Sequence, residues 1–151
     1  MYQQAINLKN LEGKWYIILS NFPMWLKGDK TNTTFNYKIS TKDGMKGLTD
    51  EVIYTQNRRQ KSIKGFDIPL NELNNSFKWR GYGLLSLLSS KWQILHLDTT
   101  KNWAIIYFER TLFTPKGYDI IAREKQLNEA TLKEINNKLR GLGINENLKK
   151  L

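Results

Sequence analysis

The chain has 151 residues, a net charge of +10 at pH 7 and no cysteine, with 40% hydrophobic and 12% aromatic residues. This length and apolar content predict one folded domain over residues 1–151. The absence of cysteine excludes disulfides, thiolate catalysis and cysteine-based metal sites, and no window approaches the ~18 consecutive apolar residues that a membrane helix requires. The sequence predicts neither a metal site nor a cofactor.

The basic charge is compatible with nucleic acid, with an anionic membrane surface or with a merely solvated basic surface. The basic residues are scattered from Lys9 to Lys150 and are dense only near Arg58 and at the C-terminal end. Because a nucleic-acid footprint usually concentrates its charge on one element, the sequence predicts no specific nucleic-acid partner. Peripheral contact with an anionic membrane and the oligomeric state are both left open.

The first ten residues, MYQQAINLKN, lack the basic and apolar regions of a signal peptide. The compartment is therefore left open. A location in the periplasm or cell envelope is expected if a signal peptide has been removed, and a cytoplasmic one otherwise.

Eight short β-like runs follow one another without an intervening helix. They cover residues 14–20, 33–41, 48–56, 61–67, 76–82, 91–97, 102–109 and 118–123. Asp43-Gly44 is a strong hairpin-turn signal, and Asn57 marks a weaker one. Successive strands without helices imply an antiparallel meander, and eight strands most simply close into a barrel that has no exposed edge. The sequence therefore predicts an all-β fold, an eight-stranded antiparallel up-and-down barrel.

Residues 128–140 change to a helical period. Asn128 is an N-cap candidate, and Ile135 and Leu139 belong to an apolar stripe with spacings of three and four. The run at residues 103–108 is apolar at every position, so it needs cover on both faces. These two features predict one C-terminal helix that packs outside the barrel on this run.

Alternation along the strands assigns large aromatic side chains to the inside of the barrel. The set comprises Trp15, Phe35, Tyr37, Tyr54, Phe77, Trp79, Trp103 and Tyr107. These side chains either fill the barrel as an ordinary core or line a cup that holds one small apolar ligand. Aromatic content alone does not separate the two interpretations.

The loop after the first strand, NFPMWLKG at residues 21–28, is unusually apolar. Loops normally lie in water and are polar, so this segment is expected to be buried or to meet an apolar partner. The apolar, glycine-flanked residues 82–88 are expected to form a second lip or a short helix.

Three motifs resemble those of the lipocalin family. Gly13-Lys14-Trp15 resembles the G-x-W motif of the first strand, and residues 92–98, which end at Asp98, resemble the second motif. Ile121-Ala122-Arg123 ahead of the helix resembles the third. Lys101 stands where the second motif usually has an aromatic residue, which predicts a differently built turn. The order of eight strands and one helix matches the family over essentially the whole chain, with the greatest likeness to bacterial lipocalins that include outer-membrane lipoproteins.

The resemblance implies roles for these residues. Trp15 and Arg123 are expected to stack at the barrel floor, with Gly13 and Asp98 as further structural residues, and the apolar loop is expected to roof an open cavity. The ligand-binding residues are then expected to be Phe22, Met24, Trp25, Phe35, Tyr37, Tyr54, Trp79, Trp103, Tyr107 and Ile121. Lys27 or Arg80 near the mouth is a candidate to hold an anionic head group.

The resemblance implies a barrel that binds and carries or stores a small hydrophobic or amphipathic ligand, such as a fatty acid or lysophospholipid. Two alternatives stay open: a lipocalin-like enzyme of the isomerase or de-epoxidase type, and a basic barrel that binds nucleic acid. No Ser-His-acid, H-E-x-x-H or phosphate-loop pattern is present, so no catalytic residue is assigned. The lone His96 is interpreted as hydrogen-bonded or exposed, and Asp98 and Asp119 as turn and rim residues.

Overall fold

The computed structural model describes residues 4–151. Residues 1–3 belong to the predicted domain and to the segment tested for a signal peptide, and they lie outside the described residues. The strands are β1 Gly13–Ser20, β2 Thr31–Lys42, β3 Met45–Gln56, β4 Arg59–Pro69, β5 Ser76–Gly81, β6 Ser89–Leu97, β7 Trp103–Phe108, β8 Gly117–Ala122 and β9 Lys149–Lys150. The helices are α1 Pro23–Leu26 and α2 Glu129–Gly141, with 3-10 turns at Leu8–Asn10 and Gly83–Leu85. Between residues 4 and 151, no helix has the length and hydropathy needed to span a membrane.

Strands β1 to β8 form a closed antiparallel barrel. Each strand pairs with the next in the chain, and β1 closes the barrel by pairing with both β2 and β8. The prediction of an eight-stranded up-and-down barrel with one main helix after it is therefore confirmed. Closure satisfies both edges of every barrel strand, which leaves no long unpaired edge.

The two-residue strand β9 was not predicted. β2 pairs with β1 only from Gly13 to Tyr16, and β9 pairs with β1 further along, at Leu19 and Ser20. The C-terminal segment therefore covers the part of the β1 edge from which β2 has separated. Two charged lysines with no apolar pattern gave no sequence signal for a strand.

The hairpin turns have the backbone geometry that the sequence indicated. Asp43 and Gly44 have φ angles of 52° and 77°, and Asn57 and Arg58 have φ angles of 52° and 61°. Two successive left-handed residues are typical of the type I′ turn, which matches the twist of paired strands. The turn between β6 and β7 places Lys101 in the left-handed region with a φ of 62°, and the Lys101 amide donates to the Asp98 carbonyl at 2.8 Å.

Helix α2 lies outside the barrel, as predicted. Asn128 caps it, because its side-chain oxygen accepts a hydrogen bond from the Thr131 amide at 2.8 Å. Ile135 and Leu139 are buried in a cluster with outward-facing residues of three strands. Those residues are Ile18 on β1, Trp103 and Ile105 on β7, and Ile120 and Ala122 on β8. The helix therefore completes a second, outer core.

The predicted direction of the β7 side chains was wrong. Trp103 was assigned to the barrel interior, but it lies in the outer cluster under α2. Tyr107, four residues further along the same strand, contacts Tyr118 with ring centroids 5.1 Å apart. Ala104, Ile106 and Phe108 face inward instead. Because β7 is apolar at every position, alternation could not distinguish its two faces, and a bulge in β6 beside it shifts the register.

One end of the barrel is closed by Trp15 and Arg123. The guanidinium carbon of Arg123 lies 3.6 Å from the centroid of the Trp15 ring, and its two terminal nitrogens donate to the carbonyls of Lys14 and Asn10 at 3.0 and 2.8 Å. Gly13 has a φ of 100°, and a Cβ there would lie 3.2 Å from Arg123. The expected contact between the first and third motifs is thus present, with Gly13 leaving room for it.

The meander places four connections at the opposite end. Since β1 runs away from the end that Trp15 closes, the loops after β1, β3, β5 and β7 all lie at the other end. They comprise residues 21–30, 57–58, 82–88 and 109–116. We call this the open end, and the end that contains Trp15 the closed end.

Candidate functional site

The barrel interior is filled near the closed end and contains a cavity nearer the open end. The indole of Trp92 stacks on Phe77 at 4.5 Å and on Tyr37 at 5.9 Å between ring centroids. Tyr37 and Trp92 line the cavity, whereas the fully buried Phe77 and Trp15 do not. The stack therefore forms the cavity floor. Between the stack and the closed end the barrel has an ordinary filled core, and between the stack and the open end it has a cup.

The cavity has a volume of ≈ 720 Å³. Its inner wall carries Phe22, Met24, Trp25, Phe35, Tyr37, Asp50, Val52, Ile63, Trp79, Trp92 and Phe108. Residues of the 82–88 and 109–116 loops form its outer part, including Leu87, Leu112 and Phe113. A cavity of this size lined by aromatic and aliphatic groups is typical of sites for small apolar molecules.

The apolar loop after β1 is folded into the barrel. Pro23 starts helix α1 at its first position, where proline is tolerated, and Trp25 is buried in the inner core. The Trp25 indole N–H donates to Asp119 Oδ2 at 3.2 Å. Ser20 donates its hydroxyl to the other oxygen of Asp119 and accepts from the Phe22 amide at 2.9 Å. The predicted roof is therefore an inner wall of the cavity.

Asp119 is a buried carboxyl rather than the rim residue expected from the sequence. Its side chain is fully buried on β8, and burial raises its pKa to about 7, although the hydrogen bonds from Ser20 and Trp25 act in the opposite direction. Near neutral pH, this carboxyl therefore changes between its neutral and ionised forms.

A second acidic feature lies in the wall formed by β3 and β4. Asp50 lies across from Tyr37 on β2 and from Gly65 on β4, and Asp67 is two residues further along β4. Both carboxyls are buried and bonded to each other, and Trp92 Nε1 donates to Asp67 Oδ1 at 2.8 Å. Burial raises the pKa of Asp50 to about 7 and holds the pKa of Asp67 well above its ordinary value.

The structure brings together six of the ten residues expected to bind a ligand. Phe22, Met24, Trp25, Phe35, Tyr37 and Trp79 line the cavity. Tyr54 and Ile121 are buried in the inner core but lie outside the cavity lining. Trp103 and Tyr107 are on the outer face, as described above. Lys27 and Arg80 do not line the cavity either, and Arg80 borders a separate groove with Lys42 and Asp43.

Sequence reasoning missed Phe108, Trp92 and the acidic pair. Asp50 shares its alternation with Leu48, Val52 and Tyr54, which are all buried. A charged residue at an inward position of a strand was the signal that could have revealed it.

The remaining motif residues lie away from the cavity. Asp98 belongs to the closed-end turn after β6, where its side chain accepts from the Thr100 amide at 3.1 Å. His96 lies on the outer face, with its ring centroid 5.1 Å from that of Trp103. Within residues 4–151, no group of three His, Asp or Glu side chains is arranged to hold a metal ion.

A closed antiparallel barrel with a cavity open at one end is the architecture of a calyx. The family model described as a lipocalin-like domain matches residues 6–150, and the chain belongs to this family. No curated protein sequence matches the chain.

Solved structures with the same fold include lobster apocrustacyanin A1, at 17% identity over 95% of this chain and 78% of that chain with a TM-score of 0.66. Insecticyanin from the tobacco hornworm Manduca sexta is 15% identical over 93% of this chain and 75% of its own, with a TM-score of 0.68. An odorant binding protein is 12% identical over 99% and 95% of the two chains, with a TM-score of 0.66.

Proposed function

We propose that this protein binds and carries or stores a small hydrophobic or amphipathic molecule in the barrel cavity. The observation that carries the proposal is the ≈ 720 Å³ cavity, which begins above the Tyr37–Trp92 floor and reaches the open end. Family membership and the likeness to an odorant binding protein support a binding role rather than a catalytic one.

A fatty acid or lysophospholipid is the ligand class to test first. An alkyl chain laid along Phe35, Val52 and Phe108 removes apolar surface from water, worth ~0.8 kcal/mol per CH₂ before the cost of association. The anionic head group of such a ligand is best placed at the open end, where the exposed Arg110 borders the cavity. Arg110 thus replaces Lys27 and Arg80 as the candidate partner.

The test is displacement of the neutral dye N-phenyl-1-naphthylamine from the purified protein by palmitate and by lysophosphatidylcholine. We expect the dye to bind and both lipids to displace it in the micromolar range or below. Arg110→Gln should weaken palmitate binding in low salt and leave dye binding unchanged, with Arg140→Gln on the exposed face of α2 as the matched control. Failure of the dye and of both lipids to bind would remove the proposal.

We also propose that the open end makes peripheral contact with anionic membranes. Four exposed side chains form an apolar rim around the mouth: Leu84, Leu87, Leu112 and Phe113, which are between 79% and 101% exposed. Met45 and Leu70 at the closed end are less exposed, at 46% and 47%. Isolated exposed leucines are ordinary, but these four apolar side chains belong to two loops of the same open end, beside one apolar cavity.

The basic charge beside this rim indicates that its partner is an anionic membrane surface. The loop that carries Leu112 and Phe113 also carries Arg110 and Lys116, and the whole chain has a net charge of +10. Apolar side chains that insert beside basic residues are the usual combination for binding anionic lipid surfaces. Contact at the mouth would let a lipid pass between membrane and cavity without crossing water.

Cosedimentation with vesicles tests this contact. We expect the protein to bind vesicles that contain phosphatidylglycerol, and to bind pure phosphatidylcholine vesicles weakly. Replacing Leu87 and Phe113 together by serine should reduce binding, whereas Leu70→Ser at the closed end should not. Equal binding by both variants would show that the charge alone is responsible.

A further inference from the structure

The acidic pair is placed so that one member faces the cavity. Asp50 lines the cavity wall while only 7% of its surface is exposed. Apart from the hydrogen bond that the two carboxyls make with each other, Oδ1 of Asp50 and Oδ2 of Asp67 have no hydrogen-bond partner in residues 4–151. Because Asp67 also receives the Trp92 indole N–H, Asp50 is the less satisfied carboxyl and is the one that can meet a ligand.

No basic side chain neutralises this pair within the described part of the chain. The two salt bridges found there join Lys30 to Asp29 and Lys64 to Glu51, both at the barrel surface. The neighbour across the sheet from Asp50 is Tyr37, which carries no charge because burial raises the pKa of its hydroxyl well above the ordinary value. The basic residues that border the cavity, Lys78, Lys91 and Arg110, make no salt bridge with Asp50 or Asp67 in residues 4–151, although a buried charge normally requires a partner.

We propose that Asp50, supported by Asp67, is a polar subsite that selects an amphiphile whose polar group donates hydrogen bonds, above all a protonated amine. This inference rests on the proposed binding function and narrows its ligand class. The amine would donate to Asp50 while its alkyl chain lies against Val52, Ile63 and Trp79, which line the same wall. Asp67, fixed by Trp92, positions Asp50 without touching the ligand.

The subsite discriminates by charge as well as by hydrogen bonding. An ammonium group favours the ionised form of Asp50 and balances its charge, and an alcohol supplies a donor without charge. A carboxylate placed there would repel the ionised form of Asp50, since like charges repel strongly in a setting of low dielectric. A fatty acid must therefore keep its head at the mouth, and the subsite disfavours the reverse orientation.

Three ligands with one chain length separate these effects: decylamine, decanol and decanoate, each in competition with N-phenyl-1-naphthylamine. We expect wild-type protein to bind decylamine roughly ten- to a hundredfold more tightly than decanoate, with decanol between them. Asp50→Asn should bring decylamine to about the affinity of decanol, because the amide cannot carry the balancing charge. Dye affinity, measured for the same variant, shows whether its cavity still binds.

Glu51→Gln is the matched control, since Glu51 is the next residue of β3 and faces outward. It removes the same charge without touching the cavity, so it should leave the amine preference intact. Equal affinity for decylamine and decanoate in wild-type protein, or a preference that survives Asp50→Asn, would overturn the inference while the dye still reports a working cavity. Failure of the dye and of all three ligands to bind would reject the binding function itself.

Discussion

The indole N–H of Trp25 donates a hydrogen bond to Oδ2 of Asp119 at 3.2 Å and so fixes the segment after β1 to the last barrel strand. Both residues are buried, and Trp25 also lies 6.2 Å from Phe35 between ring centroids. The segment that looks like a loose apolar loop in the sequence is therefore a fixed part of the cavity wall.

Substitution of Trp25 should consequently reduce stability as well as binding. We expect Trp25→Ala to cost ~3 to 5 kcal/mol, because it empties a buried site. Trp25→Phe should cost ~1 to 3 kcal/mol, mainly because Asp119 Oδ2 loses its donor. Urea unfolding of Trp25→Phe, Asp119→Asn and the double variant measures the coupling between the two residues. Strictly additive costs would show that the bond contributes nothing.

Stability should fall as the pH rises from about 4 to about 7. The pKa of Asp119 is raised from 3.8 to about 7 by burial, so the folded protein keeps a proton that the unfolded chain releases. The stabilisation is complete below the ordinary pKa of 3.8 and is lost as the pH rises through about 7. Each such group contributes a slope of at most about 1.4 kcal/mol per pH unit.

Asp50 adds a contribution of the same sign, since its pKa is also raised to about 7. Unfolding free energies of wild-type protein and Asp119→Asn, measured at several pH values, check this expectation. The variant should show a smaller decrease than wild type across the window. An unchanged slope would mean that Asp119 is ionised throughout.

The closed end should act as a structural unit that is independent of the cavity. Trp15→Ala is expected to lower stability by ~3 to 5 kcal/mol, because Trp15 is fully buried. Arg123→Lys should cost about 1 to 2 kcal/mol through loss of the stacking and of one or both carbonyl contacts. Arg140→Lys on α2 should have no measurable effect. Dye affinity at temperatures where the variants are folded should match that of wild type.

Much of this fold is predictable because its local signals agree with one another. Turn residues such as Asp43-Gly44 define the hairpins, and Asn128 defines the start of α2. The G-x-W motif and Arg123 indicate the closed end from opposite ends of the chain. Each of these signals depends on a few neighbouring residues and on no distant contact.

The cavity was harder to predict, since facing directions depend on tertiary contacts. In β7 both faces are apolar, so only helix α2 determines that Trp103 faces outward and Phe108 inward. The burial of Trp25 depends on Asp119, which lies far along the chain. Asp50 and Asp67 meet through strand register, which composition does not reveal.

The cap of α2 offers a local check of the outer core. Asn128→Ala should cost about 1 kcal/mol, because the Thr131 amide loses its acceptor. Asn136→Ala, at an exposed position inside the same helix, should be neutral or slightly stabilising, since alanine favours helix. Thermal unfolding of the two variants, followed by circular dichroism, provides the comparison.

Binding to nucleic acid should be weak and independent of sequence. The basic residues are spread over the barrel, so any complex should depend mainly on phosphate contacts and weaken steeply as salt increases. Electrophoretic mobility shifts with unrelated DNA and RNA oligonucleotides, at low and physiological salt, measure this. A complex that persists at physiological salt would support the nucleic-acid alternative.

The central claim is that the cavity above Tyr37 and Trp92 holds the ligand, and calorimetric titration of palmitate into a cavity-filling variant tests it most directly. Ile63 lines the cavity and is only half-buried, so Ile63→Trp should fill part of the space without overpacking the core. Ile53 is outside the cavity lining, and Ile53→Trp is the control. We expect Ile63→Trp to abolish or strongly weaken binding while Ile53→Trp binds as wild type does. Wild-type affinity in a folded Ile63→Trp variant would contradict the account.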